Sequence, residues 1–118
     1  MVGYVASNVL DGTLALWYAE DYAADATDVL ILDVRSAWEW SVGHLPGALH
    51  VPVGELRERI GEVITAGAGR PVRVHCASGF RSYLAHRVLV DAGLDSASLS
   101  GGLLTFRAAR PDVELVTD

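Results

Sequence analysis

Short apolar runs alternate with helix-patterned segments along this chain, and this alternation constrains the fold more than any other feature. Residues 29–32 form a continuous apolar run typical of a strand buried on both faces, and we expect further short strands at Val72–His75 and residues 97–99. Apolar residues recur at helical spacing within residues 53–64 and again within residues 82–92. Strands that alternate with helices predict an α/β domain with a mostly parallel sheet.

Cap and turn residues set several of the element boundaries. Ser36 followed by Glu39 is a capping-box pattern and predicts a short helix through Trp38 and Trp40. Residues 43–48 contain a proline between two glycines, which ends that helix in a turn.

The remaining elements follow from similar signals. We expect one helix from Val53 that ends at residues 67–69, and Gly93 stands where a helix C-terminal glycine belongs. Asp11-Gly12 predicts a turn after a helix-compatible pattern. The other predicted elements are that N-terminal pattern over residues 2–10, strands over 14–17 and 49–51, an acidic helix over 19–24 and a last helix over 103–109.

Size and composition narrow the possible functions. The chain has 118 residues, which fits one domain, with 51% hydrophobic and 20% charged residues. The net charge is −6 and the 9 Lys and Arg residues form no basic stripe, so we expect no nucleic-acid partner. No apolar run reaches the roughly 18 residues of a membrane span, and the N-terminus lacks a signal-peptide pattern. We therefore expect no membrane partner and a cytoplasmic location.

Cys76 is the only cysteine, which excludes an internal disulfide and a multi-cysteine zinc site. A lone thiol is either a small buried apolar group or a reactive one. Cys76 directly follows the predicted strand Val72–His75, and in open α/β sheets ligands bind beyond the carboxyl ends of the strands. Its position therefore favours a reactive role.

The loop after Cys76 has the composition of an anion-binding cradle. Gly79 allows the backbone to turn inward, so the N–H groups of residues 77–82 can converge above the sulfur. The start of the following helix adds a partial positive charge, and Arg81 adds a full one. Both favour a thiolate over a thiol and would stabilise a persulfide anion in the same way.

The spacing of the loop separates two chemistries. Cysteine phosphatases and arsenate reductases use a Cys-x5-Arg loop that surrounds a tetrahedral oxyanion, whereas Cys76 and Arg81 form a Cys-x4-Arg loop. The shorter ring suits a single sulfur atom better than a phosphate. His75 echoes the phosphatase pattern, and its role stays open between tuning the thiol and packing within its strand.

Three motifs in order resemble those of a rhodanese-homology domain. They are Asp33-Val34-Arg35 with Glu39-Trp40 and Gly43-His44-Leu45-Pro46-Gly47-Ala48, then Cys76-Ala77-Ser78-Gly79-Phe80-Arg81-Ser82, then Leu99-Ser100-Gly101-Gly102. The resemblance covers most of the chain and implies a rhodanese-like α/β fold with a parallel five-stranded sheet flanked by helices on both faces. It also implies a sulfurtransferase that moves sulfane sulfur from a persulfide, polysulfide or thiosulfate donor to a thiol acceptor.

The resemblance assigns the site residues position by position. Cys76 is implied as the nucleophile that carries the persulfide, and no metal or organic cofactor is implied. The implied substrate-binding residues are Ala77, Ser78, Gly79, Phe80, Arg81 and Ser82. Two alternatives stay open, because Arg81 can instead form a structural ion pair and Ser82 can simply be a residue of the helix N-terminus.

The other prominent residues of these motifs are interpreted as structural. We expect Asp33 and Arg35 to pair with each other and His44 to form a fold-stabilising hydrogen bond. Trp38 and Trp40 are expected to pack in the core or at its rim, with a place at the mouth of the site as the alternative.

A finer resemblance concerns residues 3–12 and 81–89, which are similar to rhodanese domains fused to flavin-dependent coenzyme A disulfide or persulfide reductases. That family usually has Gly after the loop arginine, whereas this chain has Ser82. Residues 1–12 are then an N-terminal extension of the domain over residues 1–118, either continuing from a fused reductase or belonging to a free-standing relative. The alternative function is a sulfur-relay or interaction module for such a reductase.

Because Arg81 is the only cation of the loop, we expect persulfide or polysulfide donors to be preferred over the thiosulfate dianion.

Overall fold

The computed structural model describes residues 16–19, 22, 28–77, 80–99 and 101–117. The helix-compatible pattern over 2–10, the turn after it and most of the acidic helix over 19–24 lie outside the described residues. The elements are β1 (Leu16–Trp17), β2 (Leu30–Asp33), α1 (Ala37–Val42), β3 (Leu49–His50), a 3₁₀ turn (Val53–Glu55), α2 (Ile60–Gly67), β4 (Val72–His75), α3 (Phe80–Asp91), β5 (Ser96–Leu99) and α4 (Gly102–Ala109).

The five strands form one parallel sheet in the order β1-β5-β4-β2-β3. Strand β4 is therefore central, with Val74 opposite Ser98 on one side and His75 opposite Asp33 on the other. Because parallel strands end at the same edge, Cys76 emerges beside the end of β2.

Alternating side chains of the strands supply the cores on the two faces of the sheet. On one face, Leu32 and Val74 pack with Val63 of α2 and Leu89 of α3. On the other face, Ala97 and Leu99 of β5 pack with other apolar residues, including Leu103 and Phe106 of α4. The predicted five-stranded parallel sheet with helices on both faces is confirmed.

The predicted helix caps are present. The Ser36 hydroxyl accepts a hydrogen bond from the Glu39 amide at 3.3 Å, and the Ser36 amide donates to the Glu39 carboxylate at 3.0 Å. Gly93 adopts φ +84°, and its amide donates to Val90 O at 2.9 Å, which closes the end of α3. Helix α3 begins at Phe80, two residues before the predicted start at residue 82.

The single helix predicted from Val53 is wrong, because the chain forms a 3₁₀ turn over Val53–Glu55 and begins α2 only at Ile60. The amides of Val51 and Val53 donate to Asp33 O and Val34 O at 3.0 and 3.1 Å, and these bonds hold the segment beside the end of β2. The chain therefore turns tightly before α2 can begin. Periodicity did not reveal this break, because Val53, Leu56, Ile60 and Val63 still pack in the core on either side of it.

None of the helices in the described ranges has the length and apolar character that a membrane-spanning helix needs.

Candidate active site at the carboxyl end of the central strand

The sulfur of Cys76 is buried and lies at the start of a helix. Cys76 follows β4 directly and has no solvent exposure. The amide of Ser82, the third residue of α3, donates to Cys76 Sγ at 3.3 Å. The first amides of an α-helix have no partner within the helix, so the sulfur takes the place of a capping acceptor. Negative charge that forms on Sγ is stabilised by this amide and by the positive end of the helix dipole.

The main chain of Cys76 and Ala77 is fixed by the start of α4. The amides of Leu103 and Leu104 donate to Cys76 O and Ala77 O at 2.8 and 3.1 Å. Gly101, just before α4, adopts φ +73°, and a Cβ there would overlap the Thr105 side chain. The Gly-Gly segment therefore directs helix amides at the strand end that presents the thiol.

The loop residues predicted as substrate-binding are placed differently from one another. Ala77 is half-buried, whereas Phe80 points outward with 67% of its surface exposed. Ser78 and Gly79 lie outside the described residues, so the predicted ring of amides is represented by the Ser82 amide.

Arg81 is paired with Glu39 of α1. Its two terminal nitrogens donate to the two carboxylate oxygens at 2.6 and 2.9 Å. The hydrogen bond from Arg81 lowers the pKa of Glu39 to about 2, and the Ser36 amide adds to that shift. The structural ion pair that the sequence left open for Arg81 is therefore formed, and it joins α1 to α3 beside the loop.

The Ser82 hydroxyl lies 2.7 Å from the Ser98 hydroxyl of β5, and both side chains are buried. Among the described contacts, the one from Ser82 to the sulfur is made by its main-chain amide. One helical turn later, His86 Nδ1 lies 2.9 Å from the Ser96 hydroxyl. Sequence reasoning missed Ser98, although a signal exists: Ser96 and Ser98 share one face of a strand, and Ser82 and His86 share one face of a helix.

The neighbouring strand end holds a closed ion pair. Asp33 accepts hydrogen bonds from the Arg35 amide at 2.9 Å and from its guanidinium at 2.8 to 3.1 Å, and Arg35 Nη2 also donates to Gly43 O at 2.7 Å. Both side chains are buried, so the predicted structural pairing is confirmed. His75 is also buried, with Nε2 3.8 Å from Asp33 Oδ2. Burial lowers the pKa of His75 to about 4, which keeps its ring neutral near pH 7.

The aromatic residues of α1 differ in their surroundings. Trp40 stacks on the rings of His44 and His50, with centroids 3.4 and 4.8 Å apart. His44 Nδ1 lies 2.9 Å from Trp40 O, which confirms the predicted fold-stabilising hydrogen bond of His44. Trp38 is 73% exposed, so the packing prediction is wrong for this residue, whose side of the helix faces away from the core.

A cleft of about 690 Å³ adjoins the loop at Ala77. It is lined by charged residues, among them Arg35, Glu39 and Arg107, and by apolar residues such as Leu103. A small donor or acceptor molecule fits within this volume.

Comparison with known proteins identifies the family. Residues 14–109 match the rhodanese-like domain. The chain is 34% identical over 84 residues to a protein of Allochromatium vinosum named sulfurtransferase, covering 70% of this chain and 76% of that one. It is 32% identical over 87 residues to an HTH-type transcriptional regulator of Mycobacterium tuberculosis, covering 72% of this chain and 37% of the regulator.

Solved structures match nearly the whole chain as well. The reduced CoADR-RHD of Bacillus anthracis superposes with a TM-score of 0.84 at 28% identity, covering 98% of this chain and 20% of that one. The chain thus spans about a third of the regulator and a fifth of CoADR-RHD. With the fold, the motif order and the family match in agreement, this chain belongs to the rhodanese-like domain family.

Proposed function

We propose that this chain is a sulfurtransferase that stores sulfane sulfur as a persulfide on Cys76 and passes it to a thiol acceptor. The observation that supports this most directly is the Ser82 amide, which lies 3.3 Å from a buried thiol at the start of a helix. The similarity to the Allochromatium vinosum sulfurtransferase supports the same chemistry.

The reaction has two displacements at sulfur. The Cys76 thiolate attacks the outer sulfur of a donor R–S–S⁻, the donor S–S bond breaks, and R–S⁻ leaves while Cys76 becomes a persulfide. An acceptor thiolate then attacks the outer sulfur, forms its own persulfide and releases the Cys76 thiolate. Atoms and electrons balance without an added oxidant or reductant.

The Ser82 amide acts where charge resides on Sγ. That atom is anionic before the first attack and again when Cys76 leaves in the second step, so a fixed N–H stabilises both states. We propose that the main-chain N–H groups of Ala77, Ser78, Gly79 and Phe80 bind the outer sulfur. Because Cys76 has no solvent exposure, neighbouring residues must move before a donor reaches Sγ.

The charge around Arg81 favours persulfide or polysulfide donors over thiosulfate. Glu39 neutralises Arg81 through two hydrogen bonds, so a dianionic donor meets little net positive charge at this point of the loop. We expect kcat/KM to be higher for glutathione persulfide than for thiosulfate. Comparable values for the two donors would refute this preference.

Steady-state kinetics test the proposed enzyme. Donor and small-thiol acceptor are varied together, and we expect parallel double-reciprocal lines, because the donor product leaves before the acceptor reacts. Saturable turnover that disappears in Cys76→Ser supports the enzyme. Intersecting lines would contradict a persulfide intermediate.

The alternative is a relay module that delivers sulfur to a flavin-dependent reductase. It is favoured by the match to CoADR-RHD, of which this chain covers only a fifth, and in it residues 1–12 are an extension that continues from the reductase. Persulfide formation on Cys76 without saturable turnover toward small thiols, but with transfer to a reductase, supports this alternative over the free enzyme.

A further inference from the structure

A buried pair of hydroxyl groups connects α3 to β5 beside the sulfur. Ser82 and Ser98 place their Oγ atoms 2.7 Å apart, and both residues are almost without solvent exposure. Buried hydroxyl groups need hydrogen-bond partners, so each group restrains the position of the other.

The same helix residue contacts the nucleophile. Ser82 donates its amide to Cys76 Sγ at 3.3 Å, and Ser98 lies opposite Val74, two residues before Cys76, in the pairing of β4 with β5. Ser82 therefore links the two strands, because its amide contacts the sulfur at the end of β4 and its hydroxyl contacts Ser98 of β5. The Ser98 hydroxyl thus contacts the side chain of the residue whose main-chain amide points at the sulfur.

We infer that Ser98 is a positioning residue for sulfur transfer, acting through the Ser82 hydroxyl to align the Ser82 amide with Cys76 Sγ. This inference rests on the proposed function. Hydrogen bonds weaken steeply as the donor angle departs from linear, so a small rotation of the first turn of α3 weakens stabilisation of the thiolate. Ser98 itself touches neither donor nor acceptor.

The chain offers a matched control one helical turn further along the contact between α3 and β5. His86 follows Ser82 by four residues and Ser96 precedes Ser98 by two, and their side chains form a buried contact of 2.9 Å. Ser96→Ala removes a buried hydroxyl from the same strand and the same face without changing the Ser82–Ser98 pair. It reports what the loss of such a contact does to the fold alone.

The experiment compares the wild-type chain with S98A, S82A, the double variant S82A/S98A, and S96A. Each is first loaded with sulfur, and the single-turnover rate of transfer to a small thiol is measured together with the pH dependence of Cys76 alkylation by iodoacetamide. Urea unfolding confirms that each variant is folded under assay conditions.

We expect S98A to slow transfer about tenfold, since a misaligned hydrogen bond to a charged group has an effect of this order. S82A should slow transfer to a similar extent, and the double variant should be no slower than either single one, because all three break one connection. The alkylation midpoint should move to higher pH in these three variants. S96A should stay within about twofold of wild type in rate and keep its alkylation midpoint.

Three results would overturn the inference: equal rates for S98A and wild type, equal slowing in S98A and S96A, or additive effects of S82A and S98A. Failure of the proposed function is distinguishable, because then the wild-type chain itself takes up no sulfur on Cys76. In that event the alkylation midpoints still decide whether Ser98 positions the amide at the thiol.

Discussion

The ends of β2 and β4 lie side by side in the sheet, yet their buried polar groups have different kinds of partner. At the end of β2, Asp33 and Arg35 satisfy each other, and Arg35 also reaches the main chain at Gly43. At the end of β4, Cys76 presents its sulfur to a helix amide. A fixed charge with fixed partners stabilises one arrangement, whereas a group that changes charge during a reaction needs a dipole already in place. The Asp33–Arg35 pair therefore stabilises the fold, whereas the surroundings of Cys76 suit the sulfur transfer proposed for it.

The largest expected effect is at the β4 end. Cys76→Ser should reduce sulfur transfer by at least about 10³-fold, because the hydroxyl cannot replace the thiolate as nucleophile. Its free energy of unfolding should change by only about 1 kcal/mol, since serine has nearly the shape of cysteine. Transfer assays and urea titrations measure the two quantities. Residual transfer near the wild-type rate would remove Cys76 from the mechanism.

At the β2 end the effect should fall on stability instead. Asp33→Ala leaves the buried Arg35 without its carboxylate and should lower the free energy of unfolding by about 3–5 kcal/mol, measured by urea unfolding. Asp112→Ala is a matched control, because Asp112 pairs with Arg110 at the same spacing, but its side chain is 63% exposed. That variant should leave the free energy of unfolding nearly unchanged, because exposed ion pairs contribute little to stability. Similar losses in both would contradict the distinction.

His75 joins the two strand ends and should give the fold a pH dependence. Its pKa is about 4 in the folded chain and ordinarily 6.5, so between these values the unfolded chain binds more protons. Stability should therefore be complete above about pH 6.5 and fall as the pH is lowered to about 4, by roughly 3 kcal/mol.

His75→Asn should flatten this slope in urea titrations repeated from pH 7 to 4. Burial lowers the pKa of His86 as well, so the difference between wild type and variant isolates His75. Equal slopes in the two chains would show that His75 is not buried in its neutral form.

The smallest expected effect concerns donor choice. Glu39→Gln removes the charge that neutralises Arg81 but keeps a residue compatible with the Ser36 capping box. We expect the ratio of kcat/KM for thiosulfate to that for glutathione persulfide to rise about three- to tenfold. The matched control is Glu62→Gln, which removes a carboxylate from the exposed pair with Arg59 and should leave the ratio unchanged. An unchanged ratio in Glu39→Gln would mean that the charge of Arg81 does not determine the preference between the two donors.

Local sequence signals predicted most of the fold and part of the site. The apolar run at residues 29–32 predicted β2, and Ser36 and Gly93 predicted two helix ends, because these signals depend on neighbours in the chain. The partner of Arg81 lies 42 residues away, and the partner of Ser82 depends on the register between strands, so neither follows from local pattern. The helix from Val53 failed for a similar reason, since its first turn is set by contacts with residues 33 and 34.

The most direct test is the intact mass of the chain after incubation with a sulfane-sulfur donor, with Cys76→Ser treated alongside. We expect the wild-type chain to gain the mass of one sulfur atom, dithiothreitol to remove it, and the serine variant to gain nothing. A wild-type chain of unchanged mass, or an equal gain in the serine variant, would contradict a persulfide on Cys76.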